Sequence, residues 1–176
     1  CLHNRYLGVG AVICSYFCIK EDDTMKVVVA IDSLKGSLTS LEAGEAIQEG
    51  ILRAISDAEV IVRPLADGGE GTVEALTRGM NGRYEKITVT DPLGRPTDAV
   101  YGILEDSHTA VIEMLAAAGI TLIDAKDRNP MNTTTYGVGE MIKDAIGKGC
   151  RHFFIGIGGS ATNDGGIGML QALGYG

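Results

Sequence analysis

The chain alternates short apolar runs with stretches in which apolar residues recur at helical spacing. Lys26–Asp32 (KVVVAID) is a β-branched run closing on an acid, as a buried parallel strand does. Thr39 and Glu42 form a Thr-x-x-Glu capping box, after which Ala43, Ala46, Ile47, Gly50, Ile51 and Ala54 fall on one helical face. Glu59–Ala66 reads as the next strand, Asp67–Gly71 as a glycine loop, and Thr72–Met80 as a short helix closed by the Asn81-Gly82 turn. This β-α-β-α order predicts a parallel sheet with helices on both faces.

The texture changes near residue 83. Tyr84–Thr90 and Thr97–Leu104 alternate around a Pro92, Gly94, Pro96 turn, the mark of an antiparallel hairpin. Thr109–Met114 is a further apolar strand, Tyr136–Lys148 a helix with Val138, Met141, Ile142, Ala145 and Ile146 on one side, and His152–Ile157 a strong strand. It runs into Gly158–Gly166 and a helix over Ile167–Leu173. The expectation is an α/β protein. Residues 25–82 form a first, parallel-sheet domain, and 83–176 form part of a second α/β domain with a mixed sheet. A strand ordinarily follows such a helix, so the architecture reads as incomplete after Gly176.

Residues 1–24 stand apart. Leu7–Ile19 is an apolar run too short to span a bilayer as a helix and without a small-x-small cleavage site after it, so we expect upstream sequence before a natural start at Met25, with an export signal as the alternative. Cys1, Cys14 and Cys18 lie in this stretch and only Cys150 beyond it, so no disulfide framework is expected and a cytoplasmic setting is the default. The net charge of −8 argues against a nucleic-acid surface. No membrane association is expected.

Glycine, at 25 residues, is abundant without the three-residue period of collagen, and it clusters where apolar runs end. Three such loops follow strands, where ligands of open α/β sheets gather. In Gly156–Gly166 (GIGGSATNDGG), bare backbone admits close approach by an anion, Ser160 and Thr162 offer hydroxyl donors, and Asp164 is a candidate Mg²⁺ ligand. The competing reading is a turn that only packs helix on strand. The loop has no G-x-x-x-x-G-K-[ST], and Ala161 stands where the dinucleotide fingerprint has its third glycine, a substitution that is sometimes tolerated. In Asp67–Thr72, Asp67 and Glu70 flank three glycines, suiting a metal or a substrate hydroxyl, or else a helix start. In Asp32–Ser37, Lys35 is a candidate for neutralising a phosphoryl group, or an ordinary solvated lysine. Asn129–Gly137 (NPMNTTTYG) is a weaker signal, equally a helix cap or a polar ligand site. Arg63 and Arg95 are loose candidates for binding a carboxylate.

Taken together, KVVVAIDSLKGSLTSLEAGEAI, VRPLADGGEGTVEAL, DPLGRP, NPMNTTTYGVGE and GIGGSATNDGGIGMLQALG resemble the bacterial glycerate kinases of the type-1 family, from about Met25 to the last residue. The resemblance implies two α/β domains, one interrupted by the other, with the active site in a cleft, ATP and Mg²⁺ as cofactors, and D-glycerate as substrate, phosphorylated mostly at the 2-hydroxyl. Members are roughly twice this length, so a chain ending at Gly176 is expected to be inactive alone. Residue by residue, the likeness places Asp32, Ser33, Lys35, Asp67, Gly68, Gly69, Glu70, Gly158, Gly159, Ser160, Thr162, Asn163 and Asp164 around the cleft. On our reading, Gly158–Asn163 cradle nucleotide phosphates, Asp164 or Asp67 accepts the hydroxyl proton or holds Mg²⁺, and Lys35 stabilises charge. A nucleotide- or NAD-binding oxidoreductase is the alternative from a different class.

Overall fold

The computed structural model describes residues 3–9, 12–21, 24–34 and 37–176, with side chains from Met25 onward. Two compact units divide after Ala66. In the first, β3 (Thr24–Ile31) and β4 (Glu59–Pro64) are parallel and joined by α1 (Ser40–Ala54). Thr39 caps α1 as its sequence predicts: its hydroxyl accepts from Glu42 N at 3.1 Å while the Glu42 carboxylate accepts from Thr39 N at 2.8 Å. Val27, Val29 and Ile31 bury against Ala43, and a Cβ at Gly44 would lie 2.5 Å from Val62 Cγ1, so the helix lies close on the sheet. The apolar stretch before Met25 runs as β1 (His3–Val9) and β2 (Val12–Glu21), which extend the ladder antiparallel, so the first sheet is not purely parallel.

The second unit holds a mixed sheet, as its sequence predicts, and its strand order is β5-β6-β7-β8. β5 (Arg83–Thr90), β6 (Pro96–Leu104) and β7 (Thr109–Glu113) are antiparallel, and β8 (His152–Gly156) pairs parallel to β7. The period of two along the fully buried β7 serves both faces. Ala110 and Ile112 join Tyr101, Val138 and Met141 beneath α4 (Tyr136–Gly147), while Val111 meets Val73 of α2 (Thr72–Gly79) on the other side. The short α3 (Leu115–Ala118) follows β7, and α5 (Ile167–Leu173) lies against α4.

The texture change near residue 83 and the division after Ala66 therefore differ by one helix. α2 reads in sequence as the second crossover helix of the first domain, but it buries Val73 and Leu76 with Leu104 and Val111 of the second unit. The buried Tyr101 phenol is satisfied by Asp144, to which it donates at 2.6 Å, and burial together with that carboxylate pushes the phenol up to about 12. Among the described residues no helix is long and apolar enough to cross a membrane.

Candidate active site: two interlocked glycine bends

The register of β7 and β8 sets Glu113 opposite Gly156, so both strands deliver their carboxyl ends to one place. There the 67–71 bend and the 156–166 bend meet backbone to backbone. Gly158 N donates to Gly68 O at 2.9 Å. A Cβ at Gly156 would stand 2.5 Å from Gly68 O, and one at Gly158 would stand 2.6 Å from Gly69 Cα. Every nearest neighbour is main chain, which cannot swing aside as a side-chain tip does, so residues without Cβ are required at this crossing.

The longer bend is held from both sides. On one side Ala161 N donates to Ala118 O at 2.8 Å and Ile120 N to Gly159 O at 2.9 Å. On the other, the buried Thr133 hydroxyl donates to Ala161 O at 3.0 Å. Above this frame Ser160 Oγ and Thr162 Oγ1 lie 2.9 Å apart, and Gly159 and Asn163 are exposed. The result is a small polar group on fixed backbone.

Asp164 is the hub of the bend. Its carboxylate accepts from Thr135 N at 2.8 Å, Gly166 N at 3.0 Å and Gly168 N at 3.2 Å, and the buried Thr135 hydroxyl lies 2.9 Å from Oδ2. Burial pushes this carboxyl up, but the donors from Thr135, Gly166 and Gly168 outweigh burial and hold it below the ordinary carboxylate range. The group stays ionised, and its lone pairs are engaged by the start of α5 and the entry to α4. The Asn129–Gly137 segment thus turns its three consecutive threonines to different ends: Thr133 and Thr135 brace the bend, while Thr134 Oγ1 accepts from Tyr136 N. The Asp91–Arg95 turn supports the same segment. Pro92 O accepts from Thr134 N at 3.0 Å, and the Arg95 guanidinium is paired with the buried Asp91 at 2.7 Å.

In the shorter bend Asp67 Oδ1 accepts from Gly69 N at 3.0 Å, and Asp67 and Glu70 are exposed. The start of α2 is filled by Glu113, whose Oε1 accepts from Val73 N at 2.7 Å; the N–H groups of Gly71 and Thr72 lie near enough to favour its charged form, and Thr72 N also reaches Gly69 O at 3.4 Å. Burial raises the Glu113 carboxyl, and those three amides pull it back in part. Sequence reading missed Glu113, although the signal was present: a lone acid closing the otherwise uncharged run TAVIE.

Beside the longer bend is a hollow of about 320 Å³ with Met114, Val138 and Ile155 on its apolar wall and Thr162, Asn163 and Asp164 on its polar rim. Among the described residues no three His, Cys, Asp or Glu side chains gather as a ready-made metal cage.

Of the residues marked in sequence, Asp67, Gly68, Gly69, Glu70, Gly158, Gly159, Ser160, Thr162, Asn163 and Asp164 therefore belong to one pair of contacting bends. Asp32 and Ser33 lie in the first unit, where Asp32 Oδ1 accepts from Ser33 N at 2.7 Å. Lys35 lies outside the described residues. Arg63 is exposed on β4.

Comparison with known proteins gives a consistent picture. A family model described as the glycerate kinase family matches residues 27–176. The glycerate kinase of Haemophilus influenzae is 51% identical over 150 residues, covering 85% of this chain and 40% of that relative. The glycerate kinase of Bacillus subtilis is 52% identical, with 85% and 39% covered, and the glycerate 2-kinase of Escherichia coli K12 is 49% identical, with the same shares. A crystal structure from Salmonella typhimurium LT2 that carries the name glycerate kinase 2 superposes with a TM-score of 0.79 at 49% identity, covering 86% of this chain and 41% of that one. The chain thus spans about two fifths of the length of the curated relatives it matches.

Proposed function

We propose a phosphoryl-transfer role on one premise: this chain belongs to the glycerate kinase family. The reaction is transfer of the γ-phosphoryl group of ATP to D-glycerate, at the 2-hydroxyl, the position in the name of the Escherichia coli relative. The glycerate oxygen attacks the γ-phosphorus, the bond from that phosphorus to the β,γ-bridging oxygen breaks, ADP leaves, and the hydroxyl proton passes to a carboxylate. Such a reaction asks the protein mainly for positioning and charge stabilisation.

The observation that carries this reading is the Gly158–Gly68 crossing, which fixes a polar, Cβ-free surface at the carboxyl ends of two parallel strands. Gly158, Gly159, Ser160, Thr162 and Asn163 hold phosphate oxygens. Asp164, saturated by donors, positions that bend. This leaves Asp67 as the better-placed proton acceptor, with Glu70 beside it. When bound, Mg²⁺ would neutralise phosphate charge. A site with two exposed acids and, among the described residues, no acidic cage would suit an ion held mostly by phosphate oxygens and water. Lys35, Asp32 and Ser33 are assigned by family likeness alone, Lys35 to the charge on the transferred group. We also assign to the complete protein the family's two-domain plan, with helices on both faces of a first sheet whose β3–β4 pair is parallel, and a cytoplasmic setting.

Thermal unfolding tests the reading. ATP–Mg²⁺ is expected to raise the midpoint of this chain and NAD to leave it unchanged. Stabilisation by NAD alone would replace the kinase with a dinucleotide-binding oxidoreductase. Residues 1–176 alone are expected to give little or no phosphoglycerate, and robust turnover would overturn that expectation.

A further inference from the structure

Two glycine bend–helix units stand side by side in the second unit, yet each is expected to take something different. We propose that Glu113 is the residue that sets this difference: it acts as a built-in anion that plugs the start of α2, closing the 67–71 bend to phosphate and leaving the 158–163 bend to receive it. The proposal rests on the kinase reading for what the second bend receives, but not for the plug itself.

The geometry is specific. A helix start following a glycine bend at the end of a strand is the ordinary setting for a phosphate, because several N–H groups converge there. Here Val73 N reaches Glu113 Oε1 at 2.7 Å, with Thr72 N beside it on Gly69 O at 3.4 Å, and the amides of this turn favour the charged form of Glu113. Gly71 adopts φ +91 to turn its amide inward, a conformation that L side chains rarely adopt. Glu113 is 9% exposed and comes from β7, far away in sequence, so this is a tertiary contact and not a local capping box. Its β7 position places it on the α2 face of the sheet with Val111, directly under the bend. With Val73 N engaged and a buried carboxylate beneath the turn, a phosphate dianion meets repulsion at this helix start. The exposed Asp67 and Glu70 above it then face a cation or a hydroxyl group and not a second anion.

The test uses this chain with Glu113→Ala and Glu113→Asp, and with formate and inorganic phosphate as probes. Leaving Val73 N without its acceptor, in a turn otherwise without a buried anion, should lower the thermal midpoint of Glu113→Ala by about 2–10 °C. Formate should recover part of that loss in a saturable way, while chloride at equal ionic strength does not. Glu113→Asp should lose less and show no response to formate. If Glu113→Ala does not fold unaided, formate in the refolding buffer should restore it. In the wild type, inorganic phosphate should leave the Gly71, Thr72 and Val73 amide resonances unmoved. The proposal is overturned if formate rescues nothing, or if wild-type phosphate shifts those three amides saturably. The kinase reading fails by a separate result, the absence of any nucleotide response at residues 158–163.

Discussion

Substituting Gly158 by alanine probes the crossing of the two bends at its tightest point. The new Cβ would stand 2.6 Å from Gly69 Cα, 3.0 Å from Gly69 N and 3.1 Å from Gly68 O, against 3.4–4 Å for ordinary contact. All three neighbours are backbone, so one bend has to retreat. Overpacking of this kind costs about 1–3 kcal/mol. Loss of the Gly158 N to Gly68 O hydrogen bond adds about 0.5–1.5 kcal/mol. The sum, roughly 2–4 kcal/mol, is a large share of the ~5–15 kcal/mol by which a domain is stable. Gly147 at the end of α4 is the matched control, since nothing lies within 4 Å of its added Cβ. Gly147→Ala should be neutral or stabilising by up to about 1 kcal/mol. Urea denaturation followed by circular dichroism reads the difference, and hydrogen exchange locates it. Gly158→Ala should speed exchange in both the 67–72 and 156–166 peptides, although only the second carries the change. If Gly158→Ala lay within about 0.5 kcal/mol of the control and left the 67–72 peptide unchanged, the two bends would not be mechanically coupled.

Two further substitutions address what holds this unit together. Asp164 has a folded pKa below its unfolded value, so its stabilisation is present above about pH 4 and is lost as pH falls through the folded value; Asp164→Asn should flatten the acid limb of a stability–pH profile, and an unchanged limb would remove Asp164 as the hub. At Gly102 a Cβ would collide with Thr77 Oγ1, a buried hydroxyl without a hydrogen-bond partner. Gly102→Ala should cost about 1–3 kcal/mol, much of it relieved in the Gly102→Ala, Thr77→Ala double mutant. Additive losses in that cycle would contradict the packing account.

The elements that hydrophobic pattern defines were legible in the sequence. Thr39 and Glu42 announced the start of α1, and the alternation on either side of Pro92 announced the β5–β6 hairpin. The allegiance of α2 was not, because a helix after a strand carries no mark of which sheet it will cover. Only the contact of Val73 with Val111 decides it. The glycine bends were legible as candidate sites, since bare backbone among Ser, Thr, Asn and Asp is costly for packing alone. Their internal division of labour was hidden. Asp164 and Thr135 both look like ligand groups in one dimension, and only their mutual distance of 2.9 Å turns them into a brace. Glu113 was hidden for the opposite reason, as an acid in a strand whose partners lie forty positions earlier in the chain.

Nuclear magnetic resonance of the ¹⁵N-labelled chain titrated with ATP–Mg²⁺ tests the central claim most directly. The account predicts saturable shifts of the Gly158, Gly159, Ser160, Thr162 and Asn163 amides, with smaller shifts at Gly68 and Gly69 transmitted through the Gly158–Gly68 hydrogen bond. Saturable binding that left these amides unmoved, or no binding at millimolar nucleotide, would contradict it.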